Sequence, residues 1–99
     1  MLNLQKTVEN GSAAFVLAGR LDTITAPDLE KELQAVMPDT KQLTLDFSGL
    51  EYISSAGLRV LLSAQKTMSR QGEMVITNVN TYIKEIFEIT GFIDILTIK

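Results

Sequence analysis

The sequence predicts a mixed α/β domain: a mixed β-sheet with amphipathic helices packed on it, in the order β-β-α-β-α-β-α-β. Three observations lead there. Asn10-Gly11 sits between two short apolar runs, and Asn-Gly is the strongest short hairpin signal. Three later segments carry apolar residues at helical spacing. Strand-like runs separate those segments, and strand–helix–strand units close with right-handed crossovers that leave their strands parallel. With 99 residues, the chain is expected to form one domain, 1–99, around one core.

Taken in order, Leu2 to Val8 alternates weakly and reads as a first strand. Glu9-Asn10-Gly11-Ser12 turns, and Ala13 to Ala18 reads as its antiparallel return. Gly19-Arg20-Leu21-Asp22-Thr23 is expected to break that strand. A helix follows, with Thr25 and Asp28 at capping-box spacing and Pro27 in the first turn. Leu29, Leu33, Val36 and Met37 make its apolar face, and Pro38 ends it. Leu43-Thr44-Leu45-Asp46-Phe47 is the third strand. Ser48 to Glu51 is expected to turn toward a second helix that runs to about Gln71. Leu58, Leu61, Leu62 and Met68 form its apolar face, and Gly72 suits its C-terminus, with Lys66 and Arg70 near the negative end of the dipole. Glu73 to Thr77 is a fourth strand. Asn80 is the expected N-cap of a third helix that buries Ile83, Ile86 and Phe87 and stops at Gly91. Asp94 to Ile98 is expected to be a short last strand.

Composition removes several function classes. The chain is 45% hydrophobic and 21% charged, which suits a folded globule. Nine Lys and Arg against twelve Asp and Glu leave a net charge of −3, with no basic run, so no nucleic-acid partner is expected. The absence of Cys and His removes a disulfide framework, thiolate and His metal sites, and any Ser-His-Asp triad. No apolar run approaches the ~20 residues of a membrane span. The first residues lack the charged and apolar regions of a signal peptide. The expectation is a soluble cytoplasmic protein without direct membrane insertion.

The stretch that organises the chain is Glu51 to Leu62. It passes from a strand into a helix and sets Ser54 and Ser55 at the helix start. Either serine suits an N-cap, whose oxygen accepts a backbone N–H that the helix leaves unpaired. The alternative reading is a regulatory phosphoacceptor at Ser55. Small Ala56 and Gly57 would let another molecule approach the hydroxyls. A phosphate there adds about −1.5 to −2 charge, which a helix N-terminus tolerates and an acidic or apolar partner surface does not. Asp22 reads as a turn former or as a partner contact, because its loop and the Ser55 turn both follow sheet strands. Arg59, one turn into the helix, is a solvated residue or a contact for a partner or a phosphate. Asp46 points away from Leu45 and Phe47 and reads as structural. Met37, Met68 and Met74 read as packing. No Walker or dinucleotide-binding motif is present, so no nucleotide or other cofactor is expected.

The run Asp46-Phe47-Ser48-Gly49-Leu50-Glu51-Tyr52-Ile53-Ser54-Ser55-Ala56-Gly57-Leu58 resembles the STAS family, and within it the bacterial anti-sigma factor antagonists. Gly19-Arg20-Leu21-Asp22-Thr23 is similar to that family's Gly-x-Leu-Asp loop, and Gly72 to Val75 and Ile86 to Phe92 fit as well. The resemblance implies a STAS-like fold and a partner-switching role without enzymatic activity. An unphosphorylated antagonist binds an anti-sigma factor that is also a serine kinase, and so frees the sigma factor. The kinase inactivates the antagonist by phosphorylating the motif serine, and a metal-dependent serine phosphatase restores it. Carried onto this chain, the acceptor is Ser55, with Ser54 as the alternative. Asp22, Thr23, Ser54, Ser55, Ala56, Gly57 and Arg59 form the partner-binding set. A monomer or weak dimer is expected.

The family motif often reads Asp-Ser-Ser/Thr-Gly. Here Ser54 stands in place of the acid and Ala56 in place of the second hydroxyl. An alternative role is a non-phosphorylated STAS subunit of a membrane transport complex, in which Ser55 is a cap and interface residue. A serine-nucleophile enzyme would need a Lys or carboxylate base, and the lysines closest in sequence are Lys41 and Lys66.

Overall fold

The computed structural model describes residues 1–99. Strand β1 (Leu2–Glu9) pairs antiparallel with β2 (Ser12–Leu21). Helix α1 (Ala26–Val36) leads through a 3₁₀ turn at Met37–Asp39 to β3 (Gln42–Ile53). Helix α2 (Ser55–Gln71), β4 (Glu73–Thr77) and α3 (Thr81–Thr90) complete the order. The four strands lie side by side as β1-β2-β3-β4, with β2, β3 and β4 mutually parallel.

That order decides where the helices go. The β2–α1–β3 and β3–α2–β4 crossovers step across the sheet in the same direction. Right-handed connections stepping the same way place both helices on one face. The burial of β2 and β3 follows. Phe15, Leu17, Leu43, Leu45 and Phe47 have no exposed surface, whereas the alternating Ala14 and Val16 face outward. Helix α3 joins the same core, with the Phe87 ring 6.5 Å from that of Phe47. All the buried apolar residues but Val75 form one cluster of 23, so the chain has a single core.

Most expected elements form, and the differences have local causes. The Gly19 break and the Ser48–Glu51 turn are absent: β2 continues to Leu21 and β3 to Ile53. The two strands extend together because they pair, with irregularities between Val16 and Ala18 and between Gly19 and Arg20 that absorb the extra residues. The Asp46 carboxylate accepts the Ser48 N–H at 2.8 Å beside this irregular region. Gly49 lets the strands close up, since a Cβ there would lie 2.8 Å from that of Ala18.

The expected capping box on α1 does not form either. The Thr25 side chain makes no cap bond: its Oγ1 instead accepts the Asp22 N–H at 2.9 Å and donates to the Arg20 carbonyl at 2.8 Å. The last expected strand, Asp94–Ile98, shrinks to one parallel bridge between Ile98 and Ile76. Residues 92–94 wind into a 3₁₀ turn instead, and the Phe92 carbonyl accepts the N–H groups of Ile95 and Leu96.

Asn80 caps α3 as expected, accepting the Ile83 N–H at 2.8 Å, and Gly91 ends it in the left-handed conformation at φ 83°. Gly72 ends α2 with an extended φ of 179°, so its glycine answers to space rather than to a left-handed turn. The Gln71 side-chain amide donates to the Met37 and Thr40 carbonyls and ties the end of α2 to the α1–β3 connection.

Candidate functional site

The carboxyl ends of β2 and β3 lie side by side, and the candidate site is built on the two turns that leave them. Leu21 pairs with Ile53, and the Ser54 N–H donates to the Leu21 carbonyl at 2.9 Å. The Asp22–Thr25 loop and the Ser54–Ser55 turn are therefore fastened at their roots. This is the rim at which open α/β sheets carry their functional crevices.

The two serines divide their work. Ser54 has extended backbone, with φ −102° and ψ 176°, and its Oγ accepts the Gly57 N–H at 3.4 Å, so it is the N-cap. Ser55 is the first residue of α2 and is exposed. The N–H groups of Ser55 and Ala56 have no intrahelical carbonyl to bond, so the positive end of a 17-residue helix dipole lies at the Ser55 hydroxyl. Gly57 turns inward. A Cβ there would lie 2.8 Å from Leu21 Cγ and 2.9 Å from Ile53 Cγ1. Its smallness seats α2 on the strands, and only Ala56 of the two small residues faces the surface.

Asp22 organises its loop. Its Oδ1 accepts the N–H groups of Ile24 and Thr25, both at 3.0 Å. Its own N–H donates to Thr25 Oγ1 at 2.9 Å, and the Ala26 N–H reaches its carbonyl at 2.8 Å. The N–H donated by Thr25 is the main reason that the Asp22 carboxyl titrates below the usual carboxylate range. Partial desolvation opposes it, and the Thr25 hydroxyl and the Ile24 N–H assist. Arg20 stacks 4.2 Å above the Tyr52 ring and brings its Nε within 3.8 Å of Asp22 Oδ2, a pair too exposed to add much stability. Asp46 is also held low, by the Asn78 amide first and then by the Ser48 N–H.

A depressed carboxyl pKa stabilises the fold above the unfolded value, and that contribution is lost as pH falls through the folded value. The Asp22→Asn protein is therefore expected to melt lower than wild type at pH 7. It is also expected to lose less stability than wild type as pH drops below about 4. Thermal melts between pH 7 and pH 2.5 check this. Parallel curves for the two proteins would mean that the Asp22 network does not contribute.

Between the starts of α1 and α2 lies an open cleft of about 230 Å³, lined by Thr23, Ala26, Pro27, Glu30, Ala56, Arg59 and Val60. The structure thus brings Thr23, Ala56 and Arg59 to one cleft, with Asp22 and Ser55 beside it in the chain. Arg59 is exposed and has no carboxylate within salt-bridge distance; the two ion pairs are Lys6–Glu32 and Arg20–Asp22. Sequence reasoning missed the role of Thr25, which is buried and supports Asp22. The Asp-x-x-Thr spacing was the available signal. It also missed Ile24, an exposed residue with no periodicity to mark it.

A one-layer mixed sheet, with helices on one face and a serine presented at a helix start, defines a class of small α/β domains. The chain belongs to the STAS domain family, whose model matches residues 3–99. BtrV of Bordetella bronchiseptica, provisionally named an anti-sigma factor antagonist, is 38% identical over 91 residues, covering 90% of this chain and 78% of its own. The anti-sigma-B factor antagonist of Listeria monocytogenes is 34% identical over 85 residues, covering 84% and 75%.

Among solved structures, an anti-sigma factor antagonist from Mycobacterium paratuberculosis superposes with a TM-score of 0.89 at 21% identity, covering 99% of this chain and 85% of its own. The Bacillus cell fate determinant SpoIIAA in its phosphorylated form gives 0.75 at 15%, covering 100% and 91%. These structural likenesses establish the shared fold. No helix of the chain is long and apolar enough to cross a membrane.

Proposed function

We propose that this protein is an anti-sigma factor antagonist whose partner binding is switched by phosphorylation of Ser55. The observation that carries the reading is the division of labour at the α2 start: Ser54 is engaged as the cap, while Ser55 is exposed and precedes Ala56, which lines the Thr23–Arg59 cleft. The names of the Bordetella and Listeria relatives support the same role, and SpoIIAA, which shares the fold, has been solved in a phosphorylated form.

In the unphosphorylated state the face around Ser55, with Asp22, Thr23, Ala56 and Arg59, docks on an anti-sigma factor that is also a serine kinase. Gly57 contributes indirectly, by seating the helix. Transfer of the γ-phosphoryl group of ATP to Ser55 Oγ, with loss of its proton, places about −1.5 to −2 charge on that face. The helix dipole and the unpaired N–H groups accommodate the charge within the fold. The partner loses a close-packed contact and meets an anion instead. A metal-dependent serine phosphatase hydrolyses the ester and resets the protein. Nothing in this role asks the chain to catalyse a reaction.

The test is phosphosite mapping. The protein is incubated with ATP, Mg²⁺ and the purified serine-kinase anti-sigma factor encoded in the same genome, then digested and sequenced by mass spectrometry. One phosphate on Ser55 is expected, and none on the Ser55→Ala protein. Labelling that persists on Ser54 in that variant would move the acceptor. Absence of any phosphate on wild type would favour a non-phosphorylated subunit of a transport complex.

A further inference from the structure

Ile24 is 84% exposed at the crest of the loop between β2 and α1. A single exposed isoleucine is ordinary on a protein surface. Two further observations separate this one. Its backbone is fixed: the Ile24 N–H is bound to Asp22 Oδ1 at 3.0 Å, and Thr25 on its far side is bound through both its N–H and its buried hydroxyl. A β-branched side chain on a fixed backbone has little freedom left to lose on binding. Its place is the second. Thr23, adjacent in the chain, lines the same cleft as Ala56 and Arg59, beside Ser55.

An apolar residue surrounded by polar ones, on a rigid support, has the anatomy of an interface centre. Here Asp22, Thr23 and Arg20 supply the polar surround. We infer that Ile24 is the apolar anchor of the Ser55 face, and that it inserts into an apolar pocket on the anti-sigma kinase. The inference rests on the antagonist reading above and adds to it. Ile24 sets the affinity of the docked state, and Ser55 decides whether docking is allowed. The kinase must dock before it transfers phosphate, so loss of Ile24 also raises the KM for phosphorylation and leaves kcat near wild type. A second copy of this chain fits the same face less well, because two molecules of net charge −3 repel.

The experiment is calorimetric titration of the purified kinase with wild type, Ile24→Ala, Ile24→Thr, Ile89→Ala and Ser55→Asp, with circular dichroism on each. Ile89 is 85% exposed on α3 and serves as a matched apolar control. Ile24→Ala and Ile24→Thr are expected to bind about thirtyfold more weakly, with unchanged melting, and Ile89→Ala within twofold of wild type. The two Ile24 variants binding as wild type while Ser55→Asp loses binding would overturn the anchor and leave the switch standing. Wild type failing to bind the kinase would overturn both. Ile24→Ala abolishing a dimer in sedimentation, with kinase affinity intact, would overturn the anchor in favour of self-association.

Discussion

Ser55→Asp is expected to weaken binding to the anti-sigma kinase by about a hundredfold or more while the protein stays folded. An unpaired charge forced into a docked interface costs about 2–5 kcal/mol, and each 1.4 kcal/mol is about tenfold in affinity. The fold has no reason to object. Residue 55 is the first residue of α2, where the backbone N–H groups are free and the dipole is positive. An acidic side chain there is stabilising by about 0.3–1 kcal/mol. The melting temperature should hold or rise slightly, and Ser55→Ala should bind nearly as wild type, because Ser54 is the residue that caps the helix. Titration of each variant, with a melt alongside, checks all three statements. A Ser55→Asp protein that bound at full strength would show that the α2 start is not at the interface.

Gly72→Ala is expected to cost about 3 kcal/mol of stability. Gly72 lies between α2 and β4 with extended backbone, a conformation open to any residue. The obstacle is contact. A Cβ at this position would lie 1.9 Å from the Lys41 carbonyl oxygen and 2.6 Å from its carbon. Backbone cannot rotate away as a side chain would, and this carbonyl is held by the Glu73 N–H at 2.9 Å. That bond opens the β3–β4 ladder, where Gln42 pairs with Glu73. Overpacking of this kind costs about 1–3 kcal/mol, and the strained hydrogen bond adds about 1 kcal/mol. In a domain of this size each kcal/mol lowers the melting temperature by about 4–8 °C, so a fall of about 15 °C is expected.

Gly91→Ala makes the contrast. Its φ is 83°, yet a Cβ would meet nothing within 4 Å. The cost there is the left-handed conformation alone, about 1–2 kcal/mol. Denaturant unfolding of the two variants checks the ranking. Equal losses would mean that the Lys41 carbonyl yields.

The parts of this fold that read directly from sequence are those with local chemical signatures. Asn10-Gly11 announced the hairpin. Asn80 and Gly91 bracketed α3, because a cap and a left-handed stop are properties of single residues. The parts that did not read were set by neighbours. Ser48-Gly49 looks like a turn in isolation, yet it remains strand because β2 continues alongside it and Gly49 fits against Ala18.

Thr25 has the spacing of a capping residue, but its hydroxyl turns back into the loop, accepting the Asp22 N–H and donating to the Arg20 carbonyl. Asp94 to Ile98 has strand composition, but Gly91 reverses the chain into a 3₁₀ turn, and only Ile98 reaches the edge of β4. At the site, both serines were visible in the sequence. Their separate geometry, one extended and capping, the other helical and exposed, required the turn itself. Ile24 had no signal at all, because an exposed anchor differs from an ordinary loop residue only in what surrounds it.

The most direct test of the switch uses the natural modification rather than a mimic. Wild-type protein is phosphorylated to completion by the kinase and purified. Its affinity for that kinase is then compared with that of the unmodified protein in the same buffer. The account predicts that the unmodified protein binds and the phosphorylated protein binds at least about a hundredfold more weakly, with identical circular dichroism. Equal affinities for the two forms, with the phosphate confirmed on Ser55, would contradict it.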